Sequence, residues 1–531
     1  MAHALVKMEV SQKQAYIFSS NKLKDNVSNS EDIAWIMDPE YFKLIAGESG
    51  LFVKEKNLVY SGGGHIVLVF EEKETAVSFV KLATFQIHKD YPGIEVFAKV
   101  LEYDEEDEKK AKFIVEFMAD NMDKLSQKLE EKKATRLSSF HQGTFGIEKI
   151  DSTTLKPVLK SVNGVKCKGQ GRSDEEQTLD AKQKADAKQK TDARLSILGY
   201  KLASKFEDLG GSHGESSFIA VVHIDGNAMG ARVKDLYKKA RSDRRTKWET
   251  FKQQLKRFSD SVDNDFKNSY TEMLQKIQER IESEKLKELN LKDGFFPVRR
   301  IITAGDDICF VTDGRIGIEC ARTFIEALLK KKNAQDKKGY AACAGVAIVH
   351  QKYPFYQAYE LAERLCSNAK KFGAALGSEN DTDASYNGAN VSSIDWHIEY
   401  GEIKDTLKEI RNQYITADGN HLEMRPYIIN AGSDVNKKEK VRTYDNFKSQ
   451  IGELQKQDFD YARGKLKELR SVLKQGETAT QSYIQFNNLS KDFGTFQAGF
   501  DGIKRSQIFD ALEIADTYIS LEDPKEQGEN V

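Results

Sequence analysis

Three aspartates stand where residue type and spacing carry chemistry: Asp225, Asp306 and Asp307. Asp225 closes the apolar run FIAVVHI and precedes Gly226. Asp306 and Asp307 occupy the tip of VRRIITAGDDICFVTDG, a pattern of two apolar strands about a tight turn. Carboxylates crowded at the ends of buried strands repel one another and are poorly solvated. Divalent cations relieve both effects. Mg2+ takes one or two carboxylates and completes its shell with water and phosphate oxygens. Two such ions can activate a hydroxyl and stabilise a leaving pyrophosphate. The set therefore points to nucleotidyl transfer, with Asp225, Asp306 and Asp307 as ligands of Mg2+ or Mn2+. No protein general base is identifiable. Asp-Asp after Gly also occurs in plain turns, so the additional acid at the end of the preceding strand is what raises this hairpin above a turn.

Around the acids lie candidate nucleotide contacts. Gly226, Asn227 and Gly230 link strand to helix, where backbone N–H groups and the helix N-terminus favour phosphate; they serve a tight turn equally well. Gly305 allows the hairpin turn. Lys370 and Lys371 close an amphipathic helix and could reach a triphosphate, or simply complement the helix dipole. Earlier in the chain, Ser61-Gly62-Gly63-Gly64-His65-Ile66 aligns over Thr303-Ala304-Gly305-Asp306-Asp307-Ile308. Gly63, Gly64 and His65 cannot replace the acids. A glycine turn can still shape a nucleotide pocket without metal, or be a bare hairpin. His223 and His397 read as packed.

The elements that must position these residues form a repeated pattern. Residues 1–135 read as strand, helix, hairpin, helix, strand, with a long first connection: the split βαβ order of a ferredoxin-like unit. Residues 216–400 repeat that order, with a long charged helix before the hairpin and one helix after the last strand. In such a fold the first strand neighbours the hairpin, so residues 225 and 306–307 converge. Between the copies, 136–215 is a helical, low-complexity connector around DAKQKADAKQKTDAR. Residues 401–531 read as a C-terminal helical domain that includes a strand-like MRPYIIN. The fold class is α+β, with two ferredoxin-like domains and helical additions.

Composition bounds the rest. The 531 residues carry 81 Lys+Arg against 83 Asp+Glu, a net charge of -2, which excludes a uniformly basic nucleic-acid coat but not a local patch. The five cysteines (167, 309, 320, 343, 366) include no CxxC pair, so neither a zinc site nor a disulfide framework is expected. Cys309 and Cys343 lie in apolar runs and read as buried thiols of a reducing cytoplasm. No signal core or membrane-spanning run is apparent.

HIDGNAMG, TAGDDICFV, AYELAERLCSNAKK with SIDWH beyond it, and RPYIIN followed by GKLKELRSVLKQG resemble the large polymerase-cyclase subunit of type III CRISPR effector complexes. VSQKQAYIFSSNKLKD and YSGGGHIVLVF resemble its first Palm domain. The likeness runs in the same order over most of residues 1–520. The GGDEF diguanylate cyclases share the Palm fold and a similar hairpin, but not the paired Palms. The resemblance implies two facing Palm domains with ATP between them, and 3′–5′ joining of ATP into cyclic oligoadenylates by the second, in antiviral defence. Asp306, Asp307 and Asp225 match the family's hairpin and strand acids. Gly63–His65 match the degenerate hairpin of the first Palm, and Lys370 falls at a phosphate contact. Ala304 stands where the family usually has the first Gly of GGDD. No His-Asp motif precedes the first Palm, so the DNase activity of many relatives is expected to be absent, and their cysteine zinc motif is missing. Effector subunits with guide and target RNA are the implied partners. A stand-alone signalling cyclase and a non-catalytic scaffold are the alternatives.

Overall fold

The computed structural model describes residues 2–91, 93–104, 114–135, 161–162, 165–166, 199–209, 217–242, 247–289, 291, 294–377, 390–401, 406–430, 440–455, 463–489, 492–493 and 496–522. Most of the connector expected over 136–215, including its low-complexity stretch, lies outside them, as does Cys167.

The first unit begins with β1 (Ala2–Ser11). The long connection after it holds α1 (Lys13–Ile17), α2 (Leu23–Ile36), α3 (Pro39–Ala46) and the short α4 (Lys54–Asn57). Then come β2 (Leu58–Gly62), β3 (His65–Phe70), α5 (Lys73–Asp90), β4 (Glu95–Asp104) and α6 (Ile114–Ala134). The strands form an antiparallel sheet in the order β2-β3-β1-β4. Alternation sets its faces. Ala4, Val6, Met8 and Val10 point into the main core, while Leu5 packs under α6 with Leu101 and Met118.

The second unit repeats the order: β5 (Phe218–Gly226), α7 (Met229–Ser242), the 35-residue α8 (Trp248–Glu282), β6 (Val298–Ala304), β7 (Asp307–Asp313), α9 (Gly317–Leu329) and β8 (Ala342–His350). The sheet does not stop there. α10 (Phe355–Gly377) leads to β9 (Ser392–Glu399), which pairs parallel with β8, and β10 (Tyr427–Asn430) adds an antiparallel edge, giving the order β10-β9-β8-β5-β7-β6. The MRPYIIN strand of the C-terminal segment thus completes the second sheet. β5 lies between β7 and β8, covered on both faces, which is why residues 219–224 are all buried and its run is almost continuously apolar. Both units have the ferredoxin-like strand order, so the α+β double-domain reading holds.

After the short α11 (Leu407–Asn412), helices α12 (Tyr444–Gln455), α13 (Arg463–Leu473), α14 (Glu477–Phe486) and α15 (Phe509–Ile514) form the remaining layer. Buried Glu319 of α9 ties it down, accepting from Arg322, Tyr444, Tyr518 and the Leu521 amide. The two units pack directly: Phe18 of the first lies against Phe355 and Tyr359 of α10. Cys309, Cys320, Cys343 and Cys366 are buried free thiols. Among the described residues, no helix is long and apolar enough to cross a membrane.

Candidate active site

The two hairpins have the same register. Gly62 pairs with His65 across the first turn, as Ala304 pairs with Asp307 across the second. Two residues close each turn. Gly63 and Gly64 both have positive φ (58° and 77°), as a type I′ turn requires, whereas in the second only Gly305 does (65°). This is why an aspartate fits at 306 while the first hairpin has glycine at 64.

On the second sheet Asp225 lies directly opposite Asp307. At the turn, the Gly226 amide donates to the Asp306 carbonyl at 3.2 Å. A Cβ at 226 would stand 2.9 Å from Asp306 Cβ, so glycine is what lets the strand end approach the hairpin. The three carboxylates are thereby brought together. Burial, then the Asp225 charge, raise the Asp306 carboxyl to about 6 and the Asp307 carboxyl to about 7. Asp307 Oδ1 makes no hydrogen bond, and it faces His223 Nδ1, also without one, at 3.5 Å.

Lys370 projects from α10 onto this group. Its ammonium donates to Asp225 Oδ2 and, at 3.0 Å, to the Gly226 carbonyl. Burial works against its charge, but Asp225 prevails and raises its pKa. Lys371, next on the helix, is exposed. The Asn227 amide donates to the Ala341 carbonyl and its side-chain NH2 to the Val391 carbonyl, both at 2.8 Å, so Asn227 braces the loop. Gly230 opens onto a cavity of about 590 Å3 that also touches Tyr60, His65, Gly305 and Asp306. A second cleft, of about 870 Å3, lies between the hairpins and is lined by Gly62–His65 on one side and Ala304–Asp307 on the other.

As placed, the acids form no closed cage: among the described residues no three His, Cys, Asp or Glu side chains converge on one point. The donor set nonetheless suits a hard cation. It offers carboxylate oxygens only, one of them buried and unpartnered, and Mg2+ does not need an all-protein cage.

Several cleft residues were not singled out in the sequence as site residues, although Lys13 lies within VSQKQAYIFSSNKLKD. Lys13, Glu9 and Lys133 line it from the first unit, and Ser259 and Asp263 from α8. Asp263 Oδ1 accepts from the Gly305 amide at 3.4 Å. These are charged or polar residues in ordinary-looking amphipathic stretches; only the facing of the two hairpins marks them.

Fold and site together define a double-Palm protein whose second Palm alone carries an acidic hairpin. Residues 218–375 match the family model described as Cas10/Cmr2, second palm domain. Chains of three solved assemblies have the same fold: the apo Csm1-Csm4 cassette (TM-score 0.54, 13% identity, 97% of this chain and 70% of that chain); the cassette in complex with AMPPNP (0.52, 14%, 97% and 69%); and the cassette in complex with cA4 (0.51, 14%, 97% and 70%). No curated protein matches the chain in sequence.

Proposed function

We propose that the chain is a nucleotidyltransferase that joins ATP into cyclic oligoadenylates, working within a type III CRISPR effector complex. The observation that carries this reading is the juxtaposition of three crowded carboxylates with a second, acid-free hairpin across one cleft. The fold shared with cassette chains solved with AMPPNP and with cA4 supports the substrate and product class. The fold shared with the Csm1-Csm4 subcomplex of the type III-A CRISPR-Csm interference complex supports the partner class.

Asp225, Asp306 and Asp307 would hold Mg2+ or Mn2+, which lowers the pKa of an attacking hydroxyl and takes up charge on a leaving pyrophosphate. The 3′-hydroxyl of one ATP attacks the α-phosphorus of another; the P–O bond to pyrophosphate breaks and a 3′–5′ bond forms. The first Palm holds one nucleotide beside Gly63, Gly64 and His65. Lys370 balances the Asp225 charge and stays within reach of a phosphate. The opening by Gly230 admits part of a nucleotide.

The test is incubation of the purified protein with each nucleoside triphosphate and Mg2+ or Mn2+, followed by mass spectrometry. Cyclic or short linear oligoadenylates from ATP are expected; no product from any triphosphate, with or without guide RNA, partner subunits and target RNA, overturns the reading. Co-purification of small subunits and guide RNA separates a complex subunit from a stand-alone cyclase.

A further inference from the structure

Across the cleft from the acids, the first Palm shows the opposite charge. β1 places Lys7 and Glu9 on one face, and Glu9 pairs with His65 of the hairpin. Lys133, in the last turn of α6, reaches Glu9 Oε1 at 2.9 Å, and Lys7 stands 3.9 Å from Glu9 Oε2. All three side chains are at most 20% exposed. Lys13, the first residue of α1, lays its ammonium on the Gly63 carbonyl. Three lysines thus gather around one half-buried glutamate. The exposed Glu130 is ion-paired with Lys133 at 2.7 Å, and Asp307 attracts Lys13 from across the cleft.

The backbone holds this arrangement in place. Gln12, a non-glycine residue, adopts a left-handed φ of 49° immediately before Lys13. Such conformations persist where the surroundings enforce them. At Gly64 a Cβ would fall 2.8 Å from Lys13 Cε, so the glycine turn is what leaves room for the lysine above it. His65 adds no charge, because burial and then Lys7 bring its pKa down to about 4. Burial also lowers the Lys13 pKa, against the pull of Glu9. A partly desolvated ammonium with a shared counter-charge gains from an incoming anion.

Resting on the nucleotide reading above, we propose that Lys13 and Lys133, with Lys7 behind them, form an anion site in the first Palm that takes the polyphosphate tail of a nucleoside triphosphate. The Palms then divide the charge. Carboxylates in the second serve the reacting phosphate, and lysines in the first hold the tail of the other nucleotide, where no acid occupies the hairpin to repel it.

The test is calorimetric titration of the purified full chain with inorganic tripolyphosphate in EDTA. Wild type is expected to bind, more weakly as salt rises. Lys13→Gln and Lys133→Gln should each weaken binding about tenfold or more, as loss of a charged hydrogen bond does, and Lys13→Arg should restore most of it. Asp306→Asn with Asp307→Asn should bind as well as wild type or better. Thermal melts establish that each variant is folded; if Lys13→Gln is not, Lys133→Gln carries the test. The site is overturned by no binding to wild type, by undiminished binding to both glutamine variants, or by loss of binding in the Asp306/Asp307 variant. Tripolyphosphate binding of the expected kind without product from ATP keeps the anion site and removes the cyclase reading. Product formation with unchanged tripolyphosphate affinity in the glutamine variants does the reverse.

Discussion

Asp225, Asp306 and Asp307 oppose one another, and the opposition has a measurable sign. Asp306 and Asp307 bind protons more tightly in the folded chain than ordinary carboxylates do, with pKa values raised to about 6 and about 7. Above pH 7 both are ionised and destabilise the fold; as pH falls through 7 and 6 that penalty is relieved, until the unfolded chain also takes up protons near its ordinary carboxylate pKa. In EDTA, melts from pH 8 to pH 5 should therefore show a stabilising contribution on acidification that Asp306→Asn with Asp307→Asn removes. That variant should melt at or above wild type at pH 8 while losing product formation by about 100-fold or more. A lower melting point with an unchanged pH slope would contradict the crowding argument. Lys370 makes a second prediction. Its charge lowers the pKa of both hairpin acids, so Lys370→Met should move the acid limb of the rate profile to higher pH and reduce turnover. An acid limb that stays in place would remove Lys370 from the electrostatics of the site.

The hairpins are the elements on which the site depends, and their turns are sensitive to bulk. Gly64→Val puts a branched side chain at φ 77° and into Lys13, a strain of about 1–3 kcal/mol. It should lower the melting point and depress synthesis, whereas full turnover in a folded variant would make the first hairpin merely structural. Much of this was legible in sequence. Continuous apolar runs mark β5 and β7, and glycines between apolar runs mark both turns, so the alignment of Gly64 and His65 with Asp306 and Asp307 is also the observed register. β9 was not legible as part of the sheet. His397 reads as packed and is, but its neighbours Asp395 and Glu399 are charged and yet buried, because Arg411 pairs with Asp395 and Tyr414 reaches His397 from the segment that follows. Nor was the role of Lys13, Glu9 and Lys133 legible, since lysines and glutamates at such spacing ordinarily face water.

At the scale of the molecule, Glu319 couples the second sheet to the C-terminal helices. Glu319→Ala removes the fully buried partner of Arg322 but leaves it paired with Glu326 and Glu522, so the cost should fall below the about 3–5 kcal/mol of an unpaired buried charge. Hydrogen exchange should show α12 and the segment around Tyr518 losing protection first; uniform loss across both sheets would show instead that the chain unfolds as one unit. The unequal hairpins have a consequence for how a product must grow. Under the proposed chemistry every bond forms at one locus, because only one Palm has acids to form it. Extension is then directional, and each addition requires the nascent strand to slip by one nucleotide, or to leave and rebind, before the next can follow. In a cleft of about 870 Å3 with one reactive wall, release and rebinding is the route that exposes intermediates to solution. Rapid-quench sampling should accordingly find free linear dinucleotides and trinucleotides rising before any ring, and a large excess of unlabelled dinucleotide should trap them. Rings appearing without a linear precursor in solution would mean that the strand never leaves the cleft.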